Sequence, residues 1–288
     1  MSAVPAVPAT VAPTALEAAP VASRTLVIIP AYNEAASIVA TVEHLVATCP
    51  WLDYLVVNDG STDATARLCA ERGFALLDLP CNLGLAGAMG AGMHYAWQHG
   101  YSAVIQFDAD GQHRPEYLPA MLAALFAGHD IVCGSRFLCG PKPRSLRALG
   151  GALISGAIRL TAGQRLSDPT SGLRAYSRRI IERFVTQIHM TPEPDTVSYL
   201  IRLGARVTEV PVTMNERLAG ISYLGPVTSL KYMLRMAVSI LLIQFFRKGQ
   251  LGPLEPPQDE PAPASQPQPA PAPQPQPAPA PPPESIVE

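Results

Sequence analysis

An apolar run that ends in two closely spaced carboxylates constrains this chain more than any other feature. Residues 104–107 have the composition of a buried strand, and Asp108, Asp110 and Gln112 follow directly. In parallel α/β sheets ligands bind beyond the carboxyl ends of the strands, so these side chains are predicted to face a crevice. Carboxylate and amide oxygens suit Mg²⁺ or Mn²⁺, which makes the three residues candidate metal ligands. The alternative is that the aspartates only form the turn before a helix at Pro115.

Short apolar runs alternate with helical patterns on both sides of this stretch. The runs that predict strands lie at residues 26–30, 54–58, 74–78, 131–135 and 206–212. The patterns that predict helices begin near residues 38, 64, 82, 115, 144 and 194. This alternation predicts an α/β fold with a doubly wound, mostly parallel sheet and helices on both faces.

The two ends of the chain differ from the middle in composition. Residues 1–23 are mostly Ala, Val and Pro, and residues 251–288 hold 15 of the 31 prolines. Such segments lack the apolar side chains that offset chain entropy, so residues 1–23 and 250–288 are predicted to be disordered. One domain is then expected over residues 24–226.

A last helical pattern covers residues 228–248. Its apolar part, residues 236–246, is shorter than the roughly 20 residues that cross a bilayer. Leu230, Leu234 and Leu241 fall on one side, and Lys231 is among the basic residues beside them. The segment, assigned to residues 227–249, is therefore predicted to be an amphipathic interfacial helix or, alternatively, a final helix packed on the sheet.

Charge is distributed unevenly along the chain. Residues 25–135 contain 3 basic and 11 acidic residues, whereas residues 136–250 contain 17 basic and 6 acidic residues. The first half is expected to surround a cation, and the second to meet anions such as phosphate or an anionic membrane surface. No aromatic and basic module indicates nucleic-acid binding. The N-terminus lacks the basic start and apolar block of a secretory signal, and five cysteines without a Cys-x-x-Cys pair fit reduced thiols, so a cytoplasmic protein is expected.

Five short motifs taken together resemble the family 2 inverting glycosyltransferases. They occupy residues 29–34, 57–63, 106–113, 134–136 and 168–176, in the order and at the spacing of that family. The branch that they resemble most contains dolichol-phosphate mannosyltransferases and other polyprenyl-phosphate glycosyltransferases. The resemblance implies a GT-A fold and a hexosyltransferase that uses a nucleotide-diphospho-sugar donor and a divalent cation.

The resemblance also implies roles for particular residues. Asp108, Asp110 and Gln112 would hold the metal, with Asp110 counted among the catalytic residues, and His113 has no clear role. The residues that would bind the donor are Pro30, Tyr32, Glu34, Asp59 and Arg217. The acceptor phosphate would be bound by Arg136, which follows a strand directly, and by Arg147.

Two departures from the pattern bear on the acceptor and the donor. Gly151 lies near the place where a serine follows the second arginine in the lipid-phosphate enzymes, and this chain has a serine only at Ser155. Ile221 stands where a lysine is frequent in the loop that contains Arg217.

Two acceptor chemistries are open at this point. A polyprenyl phosphate can attack the anomeric carbon through its own oxyanion and needs no strong base. A sugar hydroxyl of a cell-envelope glycan needs a carboxylate to take its proton, and Asp195 is the candidate, with a helix cap as its alternative role. A sugar nucleotidyltransferase is disfavoured because the loop after the first strand is not Gly-rich and basic.

A non-catalytic, membrane-associated scaffold with the same fold is a further alternative. The implied partners are the donor, a lipid phosphate, the cytoplasmic face of the membrane and a membrane-embedded protein. A peripheral position on that face of the membrane is the expected location.

Overall fold

The computed structural model describes residues 24–138, 146–187, 190–215 and 226–246. The segments predicted to be disordered, residues 1–23 and 250–288, lie outside the described residues, as does Arg217. The strands are β1 (Thr25–Ala31), β2 (Asp53–Asn58), β3 (Leu76–Asp78), β4 (Ala103–Gln106), β5 (Ile131–Ser135), β6 (Arg174–Ser177) and β7 (Val207–Pro211). The helices are α1 (Ile38–Thr48), α2 (Thr65–Glu71), α3 (Gly84–Gln98), α4 (Leu118–Phe126), α5 (Leu146–Ala162), α6 (Arg178–Thr186), α7 (Pro194–Arg202) and α8 (Pro226–Phe246).

The described strands form one sheet in the order β3-β2-β1-β4-β6-β5-β7. All neighbours in it are parallel except β6, which runs antiparallel to β4 and to β5. The predicted α/β class and the mostly parallel sheet are confirmed. The inserted strand β6 brings the loop that precedes it to the carboxyl end of β4, because Gln106 is paired with Arg174.

Helices cover both faces of the sheet, as predicted. Helices α1, α2 and α4 pack on one face, around Val27, Ile29 and Ile105. Helices α3 and α5 to α8 pack on the other face, around Ile28 and Val104. Successive residues of a strand point to opposite faces, so these alternating residues supply two separate apolar cores.

Strands are added first on one side of β1 and then on the other. The chain runs outward through β2 to β3, then returns to the other side of β1 as β4. The order of the strands therefore changes direction between β1 and β4, and in such sheets ligands bind beside the carboxyl ends of the strands at this position.

The sequence patterns did not predict α6. Its apolar residues Ile180, Ile181 and Phe184 are buried, but four of its nine residues are charged. Few residues of the segment are apolar, so its sequence pattern does not by itself indicate a helix. In the structure, these apolar residues pack on the sheet and on α3.

Helix α8 is packed along one side and exposed along the other. Met233, Met236 and Ile240 are buried, and the helix lies against α5 and α7. Leu234 and Val238 are among its exposed residues. Both roles expected for this segment thus have a surface available to them. None of the helices in the described ranges is long and apolar enough to cross a membrane.

Two glycines of α3 provide a matched test of the packing between this helix and the sheet. A Cβ atom at Gly92 would lie 2.7 Å from Ile28 Cδ1, whereas a Cβ atom at Gly90 would meet nothing within 4 Å. Gly92→Ala should therefore lower the free energy of unfolding by about 1–3 kcal/mol because it overpacks the core. Gly90→Ala should raise it by about 0.5–1 kcal/mol because alanine is the better helix former. Urea unfolding of both variants is the measurement, and equal shifts would contradict this packing.

Candidate active site

The loops after β1 and β2 are joined into one rim by Asn33. Its φ of 56° places it in the left-handed region, and its Oδ1 accepts the backbone N–H groups of Thr62 at 2.8 Å and Asp63 at 3.3 Å. The N–H of Asn33 donates to Ser61 Oγ at 2.9 Å. The loop that carries Tyr32 therefore keeps a constant position relative to the loop that begins at Asp59.

The residues predicted to bind the donor line this rim. Pro30 is half-buried near the end of β1, and Tyr32 and Glu34 are half-buried on the loop after it. Glu34 accepts a hydrogen bond from the Ser37 hydroxyl at 2.8 Å. Asp59 is only 3% exposed, and its Oδ1 accepts the backbone N–H of Leu83 at 2.7 Å. The structure brings all four to the carboxyl ends of β1 and β2, with Asp59 also fixed to the start of α3.

The candidate metal ligands form a rigid turn after β4. Asp110 is 5% exposed, and its Oδ1 accepts the N–H of Gln112 at 3.0 Å. The Thr41 hydroxyl of α1 donates to the carbonyl of Ala109 at 3.0 Å, which holds the turn from behind. The Asp108 side chain is 36% exposed and can reach a ligand in the crevice. The turn-forming role and a metal-binding role are therefore compatible here.

The chain beyond β7 is attached to the same turn. The N–H of Asn215 donates to the carbonyl of Gln112 at 2.9 Å. Asn215 is the last described residue before residues 216–225, which contain Arg217. The described chain thus reaches Asn215 beside the candidate metal ligands, and Arg217 follows two residues later in the sequence.

Arg136 is paired with a buried carboxylate. Its Nε lies 2.6 Å from Asp168 Oδ2 and its Nη2 lies 2.8 Å from Asp168 Oδ1, a bidentate arrangement. The Asp168 side chain is 1% exposed and the Arg136 side chain 30% exposed. The hydrogen bond that Arg136 donates to Asp168 raises the pKa of Arg136. Sequence reasoning placed Arg136 at the crevice but did not foresee this partner.

Two further contacts hold the loop of Asp168. Glu209 of β7 accepts the N–H groups of Ser167 at 2.7 Å and Asp168 at 2.8 Å. The buried guanidinium of Arg174 donates to the carbonyl of Pro169 at 2.8 Å and to that of Pro192 at 2.8 Å. Arg174 therefore joins this loop to the start of α7.

The start of α7 carries two acidic residues with different surroundings. Asp195 Oδ1 accepts the N–H of Thr196 at 2.8 Å, and Oδ2 accepts the Ser239 hydroxyl of α8 at 2.7 Å. Burial raises the pKa of Glu193, and the charge of Asp195 raises it further. Glu193 was missed by sequence reasoning because its burial, and the nearby Arg235 of α8 and Arg174 of β6, depend on the fold.

The remaining predicted residues are Arg147 and Arg217, and neither side chain is among the described ones. Arg147 is the second residue of α5.

Within the described ranges, no three His, Cys, Asp or Glu side chains gather at metal-binding spacing. The candidate set consists of two carboxylates, Asp108 and Asp110, and the amide of Gln112.

Comparisons with known proteins identify relatives over most of the chain. The profile of Glycosyl transferase family 2 matches residues 26–185. The polyprenol monophosphomannose synthase of Mycolicibacterium smegmatis is 35% identical over 75% of this chain and 83% of that protein. The undecaprenyl-phosphate mannosyltransferase of Micrococcus luteus is 35% identical over 68% of this chain and 86% of that protein.

A solved structure shares the fold at lower identity. Glucosyl-3-phosphoglycerate synthase from Mycobacterium tuberculosis, solved in complex with Mn²⁺, UDP and phosphoglyceric acid, superposes with a TM-score of 0.55. The two sequences are 21% identical, and the match covers 77% of this chain and 78% of that one. The GT-A fold expected from the motifs is confirmed.

The raised pKa of Glu193 makes a prediction about stability and pH. A carboxyl whose pKa is raised on folding is favoured in its protonated form, so its contribution is complete below the unfolded pKa and is lost as pH rises through the folded value. Glu193→Gln should therefore be more stable than the wild type at pH 7, and this advantage should shrink at pH 4.

Denaturant unfolding at the two pH values measures this difference. Glu71→Gln serves as the control, because it removes one negative charge from an exposed pair with Arg67 on α2. If Glu193→Gln is more stable than the wild type by the same amount at pH 4 and pH 7, the raised pKa of Glu193 would be contradicted.

Proposed function

This chain belongs to glycosyl transferase family 2, and on that premise we propose that it transfers a sugar from a nucleotide-diphospho-sugar to a polyprenyl phosphate with inversion. The observation that carries the proposal is its similarity, along most of its length, to relatives named for polyprenyl-phosphate sugar transfer. The relatives include an undecaprenyl-phosphate 4-deoxy-4-formamido-L-arabinose transferase of Pseudomonas fluorescens, 32% identical over 72% of this chain. The shared feature of these names is the lipid phosphate rather than the sugar.

The rim formed by the loops after β1 and β2 is the proposed site for the nucleoside. Oδ1 of Asp59 accepts the backbone N–H of Leu83. Asp59 lies beside the crevice, where its carboxylate can also accept a hydrogen bond from a base or ribose edge. Tyr32 and Glu34 lie on the loop that Asn33 fixes to it. Pro30 contributes the rigid end of β1. Arg217 remains the proposed contact to the donor diphosphate.

The proposed metal ligands are Asp108, Asp110 and Gln112. Their donor chemistry fits Mg²⁺ or Mn²⁺, which prefer oxygen ligands and keep positions for water and substrate phosphate. A bound cation would neutralise the charge that develops on the departing diphosphate. The protein's own part is to hold these oxygens still through the Asp110–Gln112 and Thr41–Ala109 contacts.

Arg136 is the proposed contact to the acceptor phosphate, with Arg147 as a second contact. The Asp168 pair fixes the orientation of the Arg136 guanidinium, and nearly a third of its side chain stays accessible. A fixed guanidinium binds phosphate without losing side-chain entropy and offsets repulsion from the donor diphosphate. The phosphate oxygen of the acceptor then attacks the anomeric carbon from the side opposite the nucleotide.

A sugar hydroxyl is the second acceptor class, and Glu193 is the observation that favours it. A carboxyl with a raised pKa is better suited to accept a proton near neutral pH than an ordinary one. Asp195, the base expected from the sequence, has both oxygens in hydrogen bonds with Thr196 and Ser239, which supports the helix-cap role. The lipid-phosphate route requires neither carboxylate.

The exposed apolar residues of α5 and α8 are the proposed membrane contact. The two helices pack side by side, and the exposed residues are Leu149, Leu153, Leu160, Leu234, Val238, Leu241 and Leu242. Lys231 and Arg235 are exposed on α8 and can meet anionic headgroups. This surface supports a peripheral position on the cytoplasmic face of a membrane, where a membrane-embedded partner could also bind.

The proposed chemistry is tested by nucleotide release with undecaprenyl phosphate as acceptor and donors that include GDP-mannose and UDP-glucose. Asp110→Asn should lower turnover by about two orders of magnitude or more with a folded protein, because it removes the charge a divalent ion needs. Asp195→Asn should keep activity within a fewfold. Activity that survives Asp110→Asn in a folded protein would contradict the metal assignment. Loss of activity in Asp195→Asn would favour the hydroxyl acceptor, and no release with any donor would favour a scaffold.

The membrane contact is tested by co-sedimentation with phosphatidylglycerol vesicles. The double variant Leu153→Ser with Leu234→Ser should bind the vesicles with an affinity lowered about tenfold or more, because each exposed leucine contributes apolar area to the contact. Phe126→Ser is the matched control, since Phe126 is exposed on α4 at the other face of the sheet. Equal binding of the wild type and both variants, or binding that salt leaves unchanged, would contradict the contact.

A further inference from the structure

His113 is buried directly beneath Asp108 and contacts it twice. It is 3% exposed, and its Nδ1 accepts the backbone N–H of Asp108 at 2.9 Å. Its Nε2 lies 3.4 Å from Asp108 Oδ2. Because Nδ1 is the acceptor, the neutral ring carries its proton on Nε2, which faces the carboxylate. The ring also packs edge-on against Phe107, with centroids 5.4 Å apart, so it cannot turn freely.

Gly172 limits the same carboxylate from the other side. A Cβ atom at Gly172 would lie 2.6 Å from Asp108 Oδ2. The loop that carries Gly172 is held by the Arg136–Asp168 pair and by the bond from Arg174 to Pro169. The backbone at Gly172 therefore forms a fixed wall that only a residue without a side chain can provide.

We propose that His113 is a positioning residue which, together with the backbone at Gly172, orients the Asp108 carboxylate for a divalent cation before the cation binds. The inference rests on the metal ligands assigned under the proposed function. A carboxylate that is already oriented loses little freedom on binding, and hydrogen bonds to the ligands of a metal change its affinity by roughly 10–100-fold. His113 itself donates nothing to the reacting atoms.

Two substitutions separate the contacts that His113 makes. In His113→Asn the amide oxygen can replace Nδ1 and keep the bond from the Asp108 N–H, but nothing replaces Nε2. In His113→Gln the amide nitrogen can replace Nε2 and keep the contact with Oδ2, but the backbone bond is lost. A structural role alone predicts that affinity for Mn²⁺ follows stability, whereas a positioning role predicts weaker binding by His113→Asn even when its melting temperature is unchanged.

Gly172→Ala is an independent second test that does not depend on the histidine. The atom in its way is the end of the Asp108 side chain, which can move, so the fold should tolerate the methyl group while the carboxylate is displaced. Gly90→Ala is the matched control, because its methyl group meets nothing within 4 Å.

The measurement is the Kd of Mn²⁺ by titration calorimetry, with UDP and, in parallel, with GDP, alongside the melting temperature of each protein. We expect about tenfold or weaker Mn²⁺ binding for His113→Asn and Gly172→Ala, and smaller changes for His113→Gln and Gly90→Ala. Unchanged Mn²⁺ affinity in both His113→Asn and Gly172→Ala would overturn the inference while leaving the metal ligands in place. A wild type that binds no Mn²⁺ under either condition would overturn the metal assignment and the inference with it, without bearing on the acceptor.

Discussion

The ion pair between Arg136 and Asp168 is the interaction on which the arrangement of the site depends. A carboxylate as buried as Asp168 is stable only with a close partner, and the bidentate guanidinium supplies one. The pair fixes the end of β5 to the loop before β6, and β6 lies beside β4. The orientation of the candidate acceptor residue and the wall beside Asp108 are thus set by the same contact.

The site draws charged residues of opposite sign from the two halves of the chain. The acidic first half supplies Asp59, Asp108 and Asp110 at the ends of β2 and β4. The basic second half supplies Arg136 at the end of β5, and the buried Arg174 of β6 holds the loop beside it. A divalent cation and the phosphates of donor and acceptor can therefore lie between groups of opposite sign. Charges held in place before the reaction stabilise a departing diphosphate without the cost of reorganising solvent.

The fold was predictable from the sequence because it depends on local patterns. The apolar runs and their polar ends located β1, β2, β4 and β5 and the candidate ligands beyond them, and the order of the motifs indicated the family. The antiparallel insertion of β6, the pairing of Arg136 with Asp168 and the surroundings of Glu193 were not predictable in this way. Each depends on residues far apart in the chain, such as Arg174 and Arg235 around Glu193. The roles of Arg147 and Arg217 remain predictions, because the side chain of the first and the whole of the second lie outside the described residues.

The central claim is that the acceptor is a lipid phosphate attacked on the face opposite the nucleotide. The most direct measurement is the structure of the product formed from purified protein, undecaprenyl phosphate and an α-linked nucleotide-diphospho-sugar, determined by mass spectrometry and NMR. We expect one sugar joined to the lipid phosphate with inverted, β anomeric configuration. A product in which the sugar is joined to a hydroxyl group, or to the phosphate with retained configuration, would contradict the account.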